Sequence, residues 1–99
     1  MDKKEVIGLV RRYAKEASGF LAFEKVYLYG SYAAGTAGRY SDIDVAFVVK
    51  SCDNYYDLLV KLNKTADKYS DAIEPVIIFS EGDRSGFSET VFRTGLLVA

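Results

Sequence analysis

The sequence contains no histidine and no tryptophan, and its 99 residues include only one cysteine, one proline and one methionine. The lack of histidine excludes histidine-activated nucleophiles and histidine metal ligands. The single cysteine, Cys52, can form neither an internal disulfide nor a cysteine-based zinc site. Any chemistry must therefore depend on carboxylates, hydroxyls, amines and backbone groups. Carboxylates without histidine favour hard cations such as Mg²⁺.

A large excess of charge and long hydrophobic runs are also absent. Thirteen basic and fourteen acidic residues give a net charge of −1, which excludes a strongly cationic domain that binds nucleic acid mainly through phosphates. The longest apolar runs are about five residues, whereas a membrane span needs roughly 20. We therefore expect no membrane span and no strong nucleic-acid binding. The free cysteine and the lack of a signal-peptide pattern predict a cytoplasmic protein.

The length and composition are those of a small folded domain. Hydrophobic residues make up 49% of the chain and charged residues 27%, which is typical of globular proteins. We expect one domain spanning residues 1–99, with no room for a second. A domain of this size buries only roughly 60–65% of its unfolded surface, so an oligomer or a partner would help its modest core.

Apolar spacing predicts the order helix, strand, loop, strand, helix, strand, helix. In the first helix apolar residues recur at helical spacing from Val6 to Ala17, with Asp2 as N-cap and Gly19 beyond its end. The second helix spans 53–69, with Asp53 as its N-cap. This order predicts an α/β or α+β domain with a small sheet. The strands are expected at 25–30, Ile43–Val49, Ile73–Phe79 and 96–98, and the last helix at 88–94.

Two aspartates mark the entrance of the strongest predicted strand. Asp42 and Asp44 are two residues apart, so both side chains leave the same face of the sheet. Adjacent carboxylates repel each other, and a divalent cation removes that penalty. An Asp-x-Asp pair on its own is more often a solvated strand entrance or a helix cap. The opposite face of this strand is apolar and would pack on the helices: Ile43, Val45, Phe47 and Val49.

A Gly-Ser pair ends the preceding strand, and a short helix could begin there. Backbone N–H groups and the Ser31 hydroxyl suit a phosphate, and Gly30 lets a ligand approach the backbone closely. The loop 31–41 is short enough for an antiparallel strand pair, which places Ser31 near Asp42 and Asp44. A Gly-Ser pair taken alone is usually no more than a turn.

A third carboxylate is expected at the same end of the sheet. The helix 53–69 is long enough for a crossover, so the third strand should run parallel to the second and bring Glu74 beside the aspartates. Pro75 indicates an edge or bulged position for this strand. Taken alone, Glu74 would be a surface carboxylate. Three carboxylates beside a phosphate-binding loop are what metal-assisted phosphoryl or nucleotidyl transfer needs.

The combined pattern is Gly30-Ser31, ten residues, then Asp42-Ile43-Asp44. It resembles the minimal nucleotidyltransferases of the DNA polymerase beta superfamily, and the resemblance extends over nearly the whole chain. It implies a small mixed β-sheet flanked by helices. It also implies transfer of a nucleoside monophosphate, usually AMP from ATP, to a hydroxyl group. The expected cofactor is Mg²⁺, with Mn²⁺ as the alternative.

The resemblance also implies roles for individual residues. Asp42, Asp44 and Glu74 would be the metal ligands, and Glu74 would act as the base. The nucleotide would be held by Gly30, Ser31, Arg39 and Ser41.

Two features depart from the family pattern. The family often carries arginines in the loop at the positions where this chain has Tyr32 and Ala34. Arg39 is therefore the only basic residue in the loop. The third carboxylate is often an aspartate, and Glu74 is one methylene longer. Asp71, before the strand, is the alternative third carboxylate.

The resemblance further implies a partner. Stand-alone members of this size are commonly encoded beside a small helical HEPN protein, as antitoxin and toxin, and some transfer AMP to a tyrosine of that toxin. We also expect a homodimer or hetero-oligomer that uses the third strand, which is apolar on both faces at 76–79, and the C-terminal tail. One alternative function is a non-catalytic nucleotide-binding antitoxin or interaction module of the same fold. Another is a small-molecule nucleotidyltransferase of the aminoglycoside type, with its acceptor domain supplied in trans.

Tyrosines and basic residues allow two further interpretations. Tyr13, Tyr55 and Tyr69 lie on apolar helix stripes and are expected in the core. Tyr32 and Tyr40 lie in the loop, where either could stack on a base. The basic residues of the first helix predict a solvated face, with docking of an acidic partner as the alternative: Lys3, Lys4, Arg11, Arg12 and Lys15.

Overall fold

The computed structural model describes residues 1–99 and arranges four strands in one mixed sheet. The strand order is β3-β2-β1-β4, in which β1 is antiparallel to β2 and β4, and β2 is parallel to β3. The predicted fold class and strand pairing are confirmed. The elements are α1 (Lys3–Ala17), β1 (Lys25–Tyr29), α2 (Ser31–Ala34), β2 (Ile43–Val49), α3 (Tyr55–Asp67), β3 (Ile73–Phe79), α4 (Phe87–Thr94) and β4 (Leu96–Leu97).

The first helix begins with a reciprocal capping arrangement at the predicted residue. The Asp2 carboxylate accepts a hydrogen bond from the Glu5 N–H at 2.8 Å, and the Glu5 carboxylate accepts one from the Asp2 N–H at 3.3 Å. Such a capping box satisfies two N–H groups that the helix leaves free. The apolar stripe of α1 is buried against the sheet, and Tyr13 donates to the Leu62 carbonyl at 2.8 Å, which ties α1 to α3.

Helices cover both faces of the sheet. The main core lies between the sheet and the helices α1 and α3, and it includes the four apolar residues predicted for one face of β2: Ile43, Val45, Phe47 and Val49. On the other face, Ala46 and Val48 of β2 pack with Ile78 and with Val91 of α4. This second face also carries Asp44, because alternate residues of a strand share a face. No helix combines the length and the hydrophobicity needed to cross a bilayer.

The predicted start of α3 is wrong. The residue at the N-cap is Asn54 rather than Asp53; it has φ 58° and makes no side-chain capping hydrogen bond. Asparagine tolerates this left-handed conformation better than most residues do. The first turn of α3 lies away from the core, so Tyr55 is 39% exposed. Tyr13 is buried as expected, and Tyr69 is half-buried.

The third strand lies at an edge of the sheet, as Pro75 predicted. The apolar faces of this strand, which were expected to serve an interface with another chain, are largely covered within the chain itself. Ile73 and Ile77 belong to the main core, and Ile78 is buried under α4, because α4 folds back over the second face. Apolar side chains that remain exposed around this edge and the tail are Phe79, Phe87 and Leu97.

Candidate active site

The site is built around Asp44, at the start of β2. The Cα partner of Asp44 is Tyr29 on β1 and, on the other side, Glu74 on β3. Residues directly opposite one another on neighbouring strands project on the same face, so the three form a row across the sheet on the face that carries α4. Asp42 precedes the row by two residues and is exposed. The crossover thus brings Glu74 to the end of the sheet where it was predicted.

The row concentrates negative charge. Burial raises the pKa of the half-buried Asp44 carboxyl, and the charges of Glu74 and Asp42 raise it further. Burial together with the charges of Asp44 and Glu74 raises the pKa of the Tyr29 hydroxyl to about 12. The two ion pairs of the molecule, Lys50–Glu24 and Lys68–Glu16, involve none of these residues. The carboxylates therefore repel one another without a paired side-chain cation.

Gly30 joins β1 to α2 and lies against Asp44. Its backbone has φ 72° and ψ −146°, a region that is essentially restricted to glycine. A β-carbon at this position would overlap the Asp44 Oδ2 oxygen and lie 3.3 Å from its Cγ atom. α2 begins at the next residue, Ser31, as the sequence suggested, and the first N–H groups of a helix have no partner within the helix. Close approach of the strand end to Asp44 is therefore confirmed.

The remaining loop residues have different surroundings. The Ser41 hydroxyl accepts a hydrogen bond from the Gly38 N–H at 2.8 Å and so holds the turn before Asp42. The Arg39 guanidinium lies 5.8 Å from the centre of the exposed Tyr40 ring and forms no ion pair with the aspartates. Tyr32 is 9% exposed and belongs to the main core, so the option that it stacks on a base is wrong. The nucleotide contacts of Arg39 and Ser41 stay predictions.

The register distinguishes the two candidates for the third carboxylate. Glu74 is opposite Asp44, whereas Asp71 lies in the turn before β3, beyond the pair formed by Ile43 and Ile73. Glu74 therefore remains the candidate of choice.

Two aromatic residues of the site were not singled out from the sequence. Tyr29 belongs to the acidic row, and its ring meets Phe87 edge-on, with ring centres 5.6 Å apart. Phe87 is the first residue of α4, so this helix begins beside the row. The short loop 31–41 was a usable signal for Tyr29, because a β1–β2 hairpin places the residue before Gly30 opposite the aspartates. Nothing local marked Phe87.

The residues suit a divalent cation that binds together with a nucleotide. The donors are carboxylate oxygens, which are the ligands that Mg²⁺ prefers, and a cation would relieve the repulsion at Asp44. No group of three or more histidine, cysteine, aspartate or glutamate side chains is gathered closely enough to hold a metal ion by itself. Mg²⁺ is usually held by one or two carboxylates and by substrate phosphates, and such coordination does not require a complete cage of side chains.

Known proteins resemble this chain in sequence and in fold. The family model described as polymerase beta, nucleotidyltransferase matches residues 13–99. A candidate protein adenylyltransferase of Methanocaldococcus jannaschii is 30% identical over 99 residues, which cover 95% of this chain and 99% of the relative. The crystal structure of a candidate nucleotidyltransferase from Sulfolobus solfataricus superposes with a TM-score of 0.70 at 23% identity, covering 96% of this chain and 80% of that one.

A crystal structure of a toxin-antitoxin with AMP-PNP also superposes, with a TM-score of 0.59 at 24% identity over 100% of this chain and 73% of that one. Both solved structures share the fold of this chain. The mixed sheet with an acidic row beside a Gly-Ser turn defines a nucleotidyltransferase domain. The chain belongs to the polymerase beta nucleotidyltransferase family.

Proposed function

We propose that the protein transfers AMP from ATP, with Mg²⁺, to a hydroxyl group of a protein, and that the acceptor is a tyrosine of a helical HEPN-type toxin. The main structural support for this function is the row formed by Asp44 and Glu74 beside Gly30. The 30% identical relative, a candidate protein adenylyltransferase, supports AMP as the transferred group and a protein as the acceptor. The fold neighbour, a toxin-antitoxin with AMP-PNP, supports ATP and a toxin partner.

The chain's own residues divide the work of this reaction. Asp42 and Asp44 would hold Mg²⁺, which when bound neutralises charge on the phosphates. Gly30 and Ser31 would receive the triphosphate through backbone N–H groups and the Ser31 hydroxyl. The acceptor oxygen forms a bond to the α-phosphorus while the bond from that phosphorus to the bridging oxygen breaks, and pyrophosphate leaves. Glu74 would accept the proton of the acceptor hydroxyl.

Tyr29 has a different part in this proposal. Because burial and the neighbouring carboxylates raise the pKa of Tyr29 to about 12, its hydroxyl stays protonated at neutral pH. A protonated hydroxyl donates a hydrogen bond and is a poor nucleophile. The Tyr29 hydroxyl is therefore available as a donor to a carboxylate or a phosphate oxygen and would not compete with the acceptor hydroxyl.

Labelled ATP, Mg²⁺ and the purified candidate toxin test the proposal. We expect pyrophosphate release and a stoichiometric AMP adduct on a toxin tyrosine, identified by mass spectrometry. Chelation of the metal, Asp42→Asn and Asp44→Asn should each abolish the transfer, since each removes part of the metal site. Asp53→Asn is the matched control, because Asp53 is an exposed aspartate just before α3. Transfer that survives Asp44→Asn contradicts the proposed site.

A second function is favoured by two observations. The loop has no arginine at position 32, where this chain has Tyr32, and the Tyr32 side chain is buried in the main core. It also has no arginine at position 34, where this chain has Ala34. Both suit a non-catalytic nucleotide-binding antitoxin. Calorimetry, together with the transfer assay, separates the two functions. The non-catalytic antitoxin is favoured if the parent binds ATP but transfers no AMP, and if the double variant Asp42→Asn, Asp44→Asn loses ATP binding.

The assembly and location of the protein are proposed separately. We propose association through exposed apolar side chains, either Phe79 at the β3 edge of the sheet or Phe87 and Leu97 in the C-terminal segment, with a second copy or with the toxin. Sedimentation equilibrium of the chain alone and with the toxin distinguishes the two. A chain that stays monomeric alone and does not bind the toxin contradicts both modes of association. A cytoplasmic location stays a prediction.

A further inference from the structure

Apart from Arg39, the loop 31–41 offers no side-chain cation for the phosphates of a nucleotide. Asp42, Asp44 and Glu74 are all acidic, and a triphosphate would add several further negative charges. A positively charged side chain would strengthen the binding of a polyanion at such a place, in addition to a metal ion. α2, Ser31–Ala34, carries no charged residue, and the guanidinium of Arg39 lies over Tyr40.

One lysine outside the loop reaches α2. The Lys3 Nζ atom donates a hydrogen bond to the Ala33 carbonyl at 3.4 Å, across 30 positions of the chain. A lysine ammonium has three N–H donors, so two remain available for a ligand. The contact is exposed, and Lys3 takes part in no ion pair. The first turn of α1 thus holds an unneutralised charge against the carbonyl end of α2.

The surroundings leave room for that charge to act. A shallow cavity of about 190 Å³ lies between the start of α1 and the loop, lined by Lys3, Tyr32, Gly35, Ala37, Met1 and Asp2. Asp2 is the acidic neighbour, and its carboxylate is already bound by the Glu5 N–H in the capping box. The side chain at position 34 is only a methyl group and is exposed, so nothing large separates Lys3 from this part of the loop.

We propose that Lys3 is a cationic residue that binds the triphosphate of the nucleotide, in addition to the backbone of α2. The inference rests on the proposed function, because it assumes that a nucleoside triphosphate occupies the Gly30-Ser31 turn. The ammonium leaves the Ala33 carbonyl, or shares it, when phosphate oxygens arrive.

Calorimetric titration with ATP and Mg²⁺ tests this inference without depending on turnover. Lys3→Gln should weaken ATP binding by at least about tenfold, which is the range for one hydrogen bond to a charged group. AMP should be affected less and adenosine not at all. Lys4→Gln is the matched control, since Lys4 is the next residue of α1, is exposed and makes no hydrogen bond to the loop. It should bind ATP like the parent.

Two further variants separate phosphate binding from a structural role. Lys3→Arg should retain ATP binding, and Ala34→Arg introduced into Lys3→Gln should restore much of it. An adenosine affinity that falls as much as that of ATP would show that Lys3 only fastens α1 to α2. Equal losses in Lys3→Gln and Lys4→Gln would show a general charge effect. Either result overturns the inference. If the parent binds no nucleoside triphosphate, the proposed function fails first, whereas parental binding with an unaffected Lys3→Gln overturns only the role of Lys3.

Discussion

The backbone of Gly30 lies so close to the carboxylate of Asp44 that a β-carbon at position 30 would overlap the Asp44 Oδ2 oxygen. The contact joins the end of β1 to the start of β2, where Tyr29 and Asp44 are Cα partners. The position of the catalytic candidate Asp44 therefore depends on a residue that has no side chain. A glycine is needed here for space as well as for its backbone angles.

Gly30→Ala should destabilise the protein more than an alanine substitution at another glycine with positive φ. The variant meets both an unfavourable φ of 72° and the Asp44 side chain, so we expect a loss of stability of about 2–3 kcal/mol and loss of ATP binding. Gly35→Ala is the control, because Gly35 has φ 78° and no atom near its would-be β-carbon. It should cost about 1 kcal/mol. Denaturant unfolding measures both, and equal costs would contradict the contact with Asp44.

Asp44→Asn should make the protein more stable while it abolishes function. Burial and the charges of Glu74 and Asp42 disfavour the ionised Asp44 carboxyl, so a neutral amide relieves the repulsion at neutral pH. Because the group is partly exposed, solvent screening limits the gain to roughly 0.5 kcal/mol, or about 2 °C in melting temperature. Thermal unfolding without metal measures it, with Asp53→Asn as the unchanged control. A lower melting temperature for Asp44→Asn would refute the repulsion.

Asp83 should stabilise the start of α4 in a pH-dependent manner. Its carboxylate accepts hydrogen bonds from the Ser88 hydroxyl at 2.7 Å, the Ser85 hydroxyl at 2.8 Å and the Phe87 N–H at 3.1 Å. The Ser88 hydroxyl first, and then that of Ser85, lowers the pKa of Asp83 below its ordinary 3.8. Because the pKa of Asp83 is lowered in the folded state, its contribution to the free energy of unfolding is complete above the unfolded-state pKa. That contribution is lost as the pH falls through the folded-state pKa.

Asp83→Ala should accordingly lower the melting temperature by roughly 5 °C at pH 7, as expected for a lost helix cap. The difference in melting temperature between Asp83→Ala and the parent should begin to narrow as the pH falls below the ordinary value of 3.8, and it should close below the lowered pKa of the folded parent. Glu81→Ala, in the same exposed loop, is the control and should follow the parent at every pH. A deficit that stays constant down to the acid range would argue against a charge-dependent cap.

Two glycines with ordinary backbone angles should respond to alanine in opposite directions. Gly8 lies within α1, and its β-carbon would meet only Arg12 Nη1 at 3.7 Å, so Gly8→Ala should stabilise the protein by about 0.5–1 kcal/mol. At Gly95 the β-carbon would lie 2.5 Å from the Val91 carbonyl oxygen and 3.2 Å from Tyr27 Cδ1. Gly95→Ala should therefore destabilise the junction of α4 and β4 by about 1–3 kcal/mol. Thermal unfolding measures the stability of both variants. Changes of the same sign relative to the parent would refute this contrast.

Local pattern determined much of the molecule. The helical spacing of α1, the alternation of β2 and the Asp2 cap depend on residues close in sequence, so they could be predicted without a structure. The short loop 31–41 allowed an antiparallel β1–β2 pair, and the length of α3 allowed a parallel crossover. These two constraints predict, from the sequence alone, that Gly30, Asp44 and Glu74 lie at one end of the sheet.

Tertiary packing decided the rest, because it depends on contacts between residues far apart in the chain. Tyr32 lies in the core although its loop is polar, and Tyr55 is exposed although it lies on an apolar stripe. α4 packs on the face of the sheet that carries Asp44, which placed Phe87 beside Tyr29. The contact of Lys3 with Ala33 joins positions 30 residues apart. No local period encodes such pairs, since each depends on where the sheet and the helices finally meet.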